Sequence, residues 1–343
     1  MDLTVPLDNP ADQRMYRSRY GGLWVDRRDA REILADRQAR GLISEVDARD
    51  IAQYIDHGYV VFPRAVNAEL VAEYLDFFEH CWDDPSCRAW VHSGGKLVRM
   101  SRDLYDDVAK VASLHSYFPR AGELIFPPSV LRFLTHIYDR PPVAFQTMSM
   151  RLGSEEPLHI DTGPLSLTEP MTMAASWLAL EDIREHSGEF EYVPGSHRLP
   201  ELLHHGTTKA HLGDMLEYGK ILIKTQEMCT DQGLKTERFM ARAGDVLIWH
   251  ADLMHGGAII EDRSRTRKSL VAHFMPLGVM PTFHDFSKAT EYAYATGGNC
   301  LDDREFKRKL PLSPSGSSWK QKLPLPVRAF ARRHVDRLSS HLK

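Results

Sequence analysis

His159-Ile160-Asp161 sets an imidazole and a carboxylate two residues apart, and His255 follows 94 residues after the aspartate. In an extended segment, residues i and i+2 point to one side and can grip a single ion together. Two imidazoles and one carboxylate on one side of an ion leave its other positions open. Non-haem Fe(II) sites that activate O2 use this facial arrangement. His250 competes for the second imidazole place. It ends the apolar run Val246–Trp249, whereas His255 is followed by Gly256-Gly257, which lets backbone come close to a ligand. Residue physics favours His255 without excluding His250. His273, inside Val271-Ala272-His273-Phe274, reads as a hydrogen-bonded core histidine.

Such an iron needs a reductant that binds it and leaves room for O2. A keto acid such as 2-oxoglutarate would chelate the ion and offer its far carboxylate to a cation, and the planar fork of arginine matches a carboxylate bidentately. The segment Arg263 to Leu270 supplies several arginines. Alternation along a strand puts Arg265, Arg267, Ser269 and Val271 on one face, so Arg267 is the one that can turn inward beside an apolar neighbour.

These residues must be positioned by a frame. From Val143 onward the pattern is of short strands: Val143–Leu152, Met171–Leu180, Glu189–Val193, Asp245–His250, Ala258–Ile260 and Ser269–Phe274. Gly, Pro and Ser punctuate them, which predicts an all-β sandwich or barrel of the jelly-roll kind over residues 143–277. Residues 200–243 interrupt the series with a helical-looking stretch (His211–Tyr218) and the histidines His204, His205 and His211, as an insertion over a barrel mouth would.

Ahead of the strands, residues 44–142 read as a helical subregion packed on that core. Ser44 caps a helix that Gly58 ends, Tyr59–Pro63 is a short strand, and Asn67 caps a second helix with an apolar stripe from Leu70 to Trp82. The signal from 83 is mixed until a helix at Pro128–Tyr138. Residues 1–43 have little apolar periodicity and read as a wrapped arm. Residues 278–343 form an extension ending in a basic tail, Trp319–Lys343, with seven Lys or Arg against one Asp. Its apolar face suits packing on the chain itself or on a partner subunit, making a homo-oligomer, or else peripheral contact with anionic lipid.

Composition narrows the functional classes. With 343 residues, 43% hydrophobic and 26% charged, the chain can bury a large core. A net charge of −4 with the signs interspersed gives no field that would recruit nucleic acid. The cysteines Cys81, Cys87, Cys229 and Cys300 are too scattered for a disulfide framework, and no apolar run is long enough to span a membrane. A cytoplasmic protein acting on a small molecule is expected.

Taken in order, the pieces resemble the phytanoyl-CoA dioxygenase family of Fe(II)/2-oxoglutarate-dependent oxygenases. They are Gly58-Tyr59-Val60-Val61, Gln146 before His159-x-Asp161, Trp177-Leu178-Ala179-Leu180, and Gly188-Glu189-Phe190-Glu191-Tyr192-Val193-Pro194-Gly195-Ser196-His197. Gly244-Asp245-Val246-Leu247-Ile248-Trp249-His250, His255-Gly256 and Arg267-Lys268-Ser269-Leu270 complete the set, which spans about residues 45–275. The resemblance implies a mainly β fold with flanking helices around a double-stranded β-helix (jelly roll, cupin-like) core. It implies Fe(II) held by His159, Asp161 and His255, with His250 a neighbouring non-ligand. It makes Arg267 the 2-oxoglutarate arginine and puts Gln146 and Trp177 in the co-substrate pocket. The implied reaction uses O2, releases succinate and CO2, and hydroxylates an unactivated C–H bond of a small molecule.

The likeness has one departure: many relatives have His-Gly-Ser where this chain has His255-Gly256-Gly257, so a hydroxyl contact to the co-substrate is absent. The intact Asp161 argues against the related halogenases. Two other readings compete, a cupin-like metal enzyme that uses no keto acid and a jelly-roll binding protein without catalysis. The arginines and histidine at Arg99, Arg102, His115, Arg120 and Arg151 either surround the pocket mouth and favour an anionic substrate or are ordinary surface charges.

Overall fold

The computed structural model describes residues 14–94, 96–209, 214–282, 290–293 and 297–302. His211 and the basic tail from Trp319 lie outside the described residues. Strands are numbered here in chain order: β1 Tyr59–Phe62, β2 Trp90–Ser93, β3 Lys96–Arg99, β4 Ala109–Ala112, β5 Pro142–Met150, β6 Ala174–Ala179, β7 Phe190–Tyr192, β8 Glu237–Phe239, β9 Val246–His250, β10 His255–Gly257, β11 Ser269–Pro276, β12 Thr290–Ala293 and β13 Asn299–Asp302. The larger sheet runs β1-β9-β6-β11-β5-β4-β2-β3 with antiparallel neighbours, and the β12–β13 pair joins it through a parallel pairing of β13 with β5; the smaller one runs β10-β7-β8. This is a jelly roll with flanking helices, as the strand pattern predicts.

Parity organises the larger sheet, because side chains alternate between its faces. On β9, Leu247 and Trp249 turn inward to a cluster with Trp177, Phe190 and Val271, while Val246 and Ile248 join the core under the helices. The inner face of β11 carries Ser269, Val271 and His273. Opposite it β5 makes an irregularity in which His273 pairs with Gln146 but Phe274 with Ala144, so Phe145 is an extra residue. That bulge lets both Phe145 and Gln146 stay on the inner side.

The helices form where their end signals stand. Ser44 accepts from the Asp47 backbone N–H to start Glu45–His57, and Gly58, at φ 79°, closes it in the left-handed region that glycine tolerates. A Cβ there would lie 2.5 Å from His197 Nδ1. Asn67 caps Ala68–Cys81 in the same way, and Pro128–Tyr138 is helical. These helices bury the outer face of the sheet, with Ile51, Tyr54, Phe78 and Phe133 at its centre.

Other segments differ from the sequence expectation. The mixed stretch after residue 83 holds β2, β3 and β4, which extend the main sheet. They are only four residues long and lack clean alternation. Ala30–Ala39 is a helix with just Ala30 and Leu34 buried, so no apolar stripe announces it. The strand expected at Ala258–Ile260 is instead His255–Gly257, set by pairing of His255 with Tyr192 and of Gly257 with Phe190. The insertion carries one long helix, Met215–Asp231. Among the described residues no helix is long and apolar enough to cross a membrane.

Candidate metal and co-substrate site

His159 and His255 belong to facing segments joined by a reciprocal pair of backbone bonds, 2.8 and 3.0 Å, and the Asp161 N–H donates to the Ala251 carbonyl at 2.9 Å. Ligand atoms of His159, Asp161 and His255 all lie within 4.8 Å of one another. From His159 Nε2 to Asp161 Oδ1 is 3.8 Å, and from His255 Nε2 to Asp161 Oδ2 is 3.6 Å. Each imidazole is bonded through Nδ1 to a carbonyl two residues back, His159 to Pro157 and His255 to Leu253, both at 2.8 Å. A carbonyl only accepts, so the proton sits on Nδ1 and the Nε2 lone pairs point at the shared space. Burial, with His159 nearby, pushes the His255 imidazole well below its ordinary range, which keeps that lone pair free. Two imidazoles and a buried carboxylate converging on one point fit a divalent transition metal.

Gly256 and Gly257 serve the protein's own backbone. A Cβ at Gly256 would sit 2.5 Å from the Glu156 carbonyl, and one at Gly257 would strike Ser154 Oγ. The glycines let β10 lie against residues 154–158, which hold His159 in register. Gly256 also lines the cavity beside His255.

His250 is on the other side of the sheet. It follows the outward parity of Val246 and Ile248, meets Asp26 Oδ1 through Nε2 at 2.9 Å, and accepts the Asp252 N–H at Nδ1. It is not in the cluster with Asp161.

A cavity of about 290 Å³ opens between the two sheets, and His159, Asp161, His255, Arg267, Gln146 and Trp177 all line it. Arg267 is only 1% exposed. Its Nε donates to the Gly188 carbonyl and its Nη1 to Ser269 Oγ, both at 3.0 Å, and its guanidinium lies 5.4 Å from the Trp177 ring centre. No carboxylate of the described residues is within ion-pair distance of it. Burial pushes its pKa down to about 10, which still leaves it charged at neutral pH. Arg265, on the same expected face, instead pairs with Asp262 at the surface.

Further groups complete the cavity wall. The Trp177 Nε1 and His273 Nδ1 atoms are buried without a hydrogen-bond partner. His273 is therefore not a satisfied core histidine; its Nε2 lies 3.8 Å from Asp161 Oδ2, and burial lowers its pKa to about 4. Trp249 Nε1 donates to Asp161 Oδ2 at 3.0 Å. Lys110 and Glu156 pair with each other at the wall. Tyr218, from the insertion helix, donates to the Ile160 carbonyl at 2.8 Å and stacks on His204, so that helix rests on the ligand loop. Alternation on β9 and β11 would have pointed to Trp249 and His273; nothing local in the sequence signals the docking of Tyr218.

The side chains weighed as either mouth residues or ordinary surface charges are engaged away from the cavity. Arg99 lies over Trp90, Arg102 and Arg151 flank Tyr105, Arg120 pairs with Glu73 and Glu123, and His115 bonds Thr147. None of them lines the cavity.

The jelly roll is shared with solved structures of cupin-like oxygenases. The chain is similar to the non-haem α-ketoglutarate-dependent epimerase SnoN of nogalamycin biosynthesis, at 22% identity over 68% of this chain and 84% of that one, TM-score 0.51. It is similar also to the α-ketoglutarate-dependent carbocyclase SnoK of the same biosynthesis, at 17% identity over 81% and 95%, TM-score 0.51. A third likeness is to EctD from S. alaskensis, solved with 2-oxoglutarate and 5-hydroxyectoine, at 15% identity over 68% and 77%, TM-score 0.50. No curated protein sequence matches. The family model of phytanoyl-CoA dioxygenase (PhyH) matches residues 54–265, and the chain belongs to that family of Fe(II)/2-oxoglutarate-dependent oxygenases.

Proposed function

We propose that this protein is an Fe(II)- and 2-oxoglutarate-dependent oxygenase that hydroxylates a C–H bond of a small molecule. The observation that carries the reading is Arg267, a buried guanidinium with no carboxylate partner among the described residues, in the same cavity as three converging metal ligands. A buried charge without a counter-charge is costly, and a dicarboxylate that binds there removes the cost. The unpartnered Trp177 Nε1–H and His273 Nδ1 likewise leave hydrogen-bonding capacity for a bound group.

His159, Asp161 and His255 would hold the iron, which when bound supplies O2 activation coupled to oxidative decarboxylation of the keto acid. Arg267 would anchor the distal carboxylate, with Gln146 and the Trp177 ring fixing its orientation. Trp249, Phe190 and Val271 keep water from the inner wall. The substrate would lie beside Leu165, Met215 and Tyr218, where the insertion helix closes the cavity. Lys110 and Glu156 neutralise one another there, which supports a substrate without a large net charge. Four buried cysteines, none of them in a disulfide among the described residues, fit a reducing compartment such as the cytoplasm.

The test is succinate formation from 2-oxoglutarate with purified protein, Fe(II), ascorbate and O2. Turnover that vanishes in His255→Ala supports the reading. Wild-type protein that binds neither Fe(II) nor 2-oxoglutarate under anaerobic conditions overturns it in favour of a binding protein. Because two solved neighbours are an epimerase and a carbocyclase, product mass after a substrate screen separates hydroxylation from those outcomes.

A further inference from the structure

The three candidate ligands are not secured alike. His159 and His255 are each fixed by a local bond, Nδ1 to the carbonyl two residues back. Asp161 has no such local tie. A carboxylate rotates about a broad, roughly two-fold torsion, so the backbone alone does not decide which oxygen faces the metal. Among the described residues its one side-chain hydrogen bond comes from Trp249, whose Nε1 donates to Oδ2 at 3.0 Å. Indole N–H is a donor only, so the bond has one polarity.

The indole itself is held firmly. Trp249 is 1% exposed, and its ring lies 5.2 Å from that of Phe190 and 4.8 Å from that of His255. Its neighbours across β1 and β6 are Tyr59 and the small Ala175, the latter leaving room for the ring on the inner face. His273 stands edge-on to it at 6.3 Å and meets the same carboxylate oxygen from another side. Oδ2 thus takes the indole bond and lies 3.6 Å from His255 Nε2, while Oδ1 lies 3.8 Å from His159 Nε2.

We propose that Trp249 is a positioning residue for the metal: its Nε1–H bond to Oδ2 pins the Asp161 carboxylate in the orientation that faces both imidazoles. This rests on the metal reading above. Partners that orient ligands in this manner typically change metal affinity by about 10–100-fold when removed.

Anaerobic titration with Co(II), followed by its visible absorption, reads metal binding without turnover. Trp249→Phe keeps the ring bulk and loses the N–H. We expect it to bind Co(II) about 10–100-fold more weakly than wild type, with an altered band and with unchanged near-ultraviolet circular dichroism. In an Asp161→Ala background the same substitution is expected to add less than about threefold, since the group it positions is gone. Wild-type affinity in Trp249→Phe, or an equal loss in both backgrounds, overturns the role and leaves the metal site standing. Failure of the wild-type chain to bind Co(II) or Fe(II) overturns the metal reading itself. If Phe at 249 prevents folding, the indole ¹H–¹⁵N signal of Trp249 decides: it should move and exchange faster in Asp161→Ala, and an unmoved, equally protected signal refutes the bond.

Discussion

Two buried polar regions lie on opposite sides of β9 and follow opposite rules. On the outer side, His250 bonds Asp26, Asp252 bonds Thr162 and Lys209, Lys209 reaches Glu201, and Glu201 accepts from Ser18. Every one of these groups has a protein partner, and together they tie the N-terminal segment and the loop before residue 210 to the ligand loop. On the inner side, Arg267 bonds only the Gly188 carbonyl and Ser269 Oγ, with no described carboxylate within ion-pair distance, and Trp177 Nε1 and His273 Nδ1 lack partners. Buried polar groups in folded proteins are nearly always satisfied. Trp177 and His273 line the cavity that holds three converging metal ligands, where a bound group can supply their partners, while the linked outer groups are architecture.

The comparison breaks most sharply at two histidines five residues apart. His255→Ala should abolish metal-dependent succinate formation, whereas His250→Ala should bind metal normally and lose stability. Metal titration and denaturant unfolding of both variants check this, and loss of metal binding in the second would erase the distinction.

Next in size is the pair Lys209 and Asp252, whose side chains are 10% and 14% exposed. Asp252→Asn leaves a buried ammonium with a weakened partner set and should cost about 3–5 kcal/mol in urea unfolding, with metal affinity little changed. Burial opposes ionisation of Asp252, but Lys209 and His250 outweigh it and hold its carboxyl below the usual range. A depressed carboxylate contributes stability that is present above its unfolded pKa of about 3.9 and is lost as pH falls through the folded value. The gap between wild type and Asp252→Asn should therefore be full at pH 7 and shrink below about pH 4.

Arg267→Leu should behave in the opposite way. Losing a charge-assisted contact of about 2 kcal/mol raises the 2-oxoglutarate KM by about 30-fold or more. Removal of an uncompensated buried charge should leave unfolding free energy within about 1 kcal/mol of wild type. Steady-state kinetics and urea unfolding measure the two quantities. A KM unchanged by Arg267→Leu would favour the cupin-like enzyme that uses no keto acid.

The smallest effect is expected at Gly256→Ala. The added methyl must push β10 off the Glu156 carbonyl, costing about 1–3 kcal/mol and weakening Co(II) binding severalfold as the His159–His255 bridge opens. Thermal unfolding and the same Co(II) titration read both.

Much of the site was legible because chemistry and periodicity pointed the same way. His-x-Asp has meaning only on extended backbone, and the alternation that turns Arg267 inward also turns Ser269 and Val271 inward. The caps at Ser44 and Asn67 and the stop at Gly58 are local events with local signals. Harder cases had no such agreement. The helix Ala30–Ala39 buries two side chains, and β2 to β4 take their order from pairing with β5.

By itself, then, the sequence determined the ligand types, the inward arginine, the helix ends and the strand-rich core, since each depends on residues within a few positions of one another. Tertiary structure turned the sequence's preference for His255 over His250 into a position facing Asp161, and it alone decided that Trp249 holds that carboxylate and that Tyr218 seats the insertion helix on the ligand loop. These are contacts between segments far apart in the chain, fixed by sheet parity and by which partners remain after packing, and no local pattern encodes them.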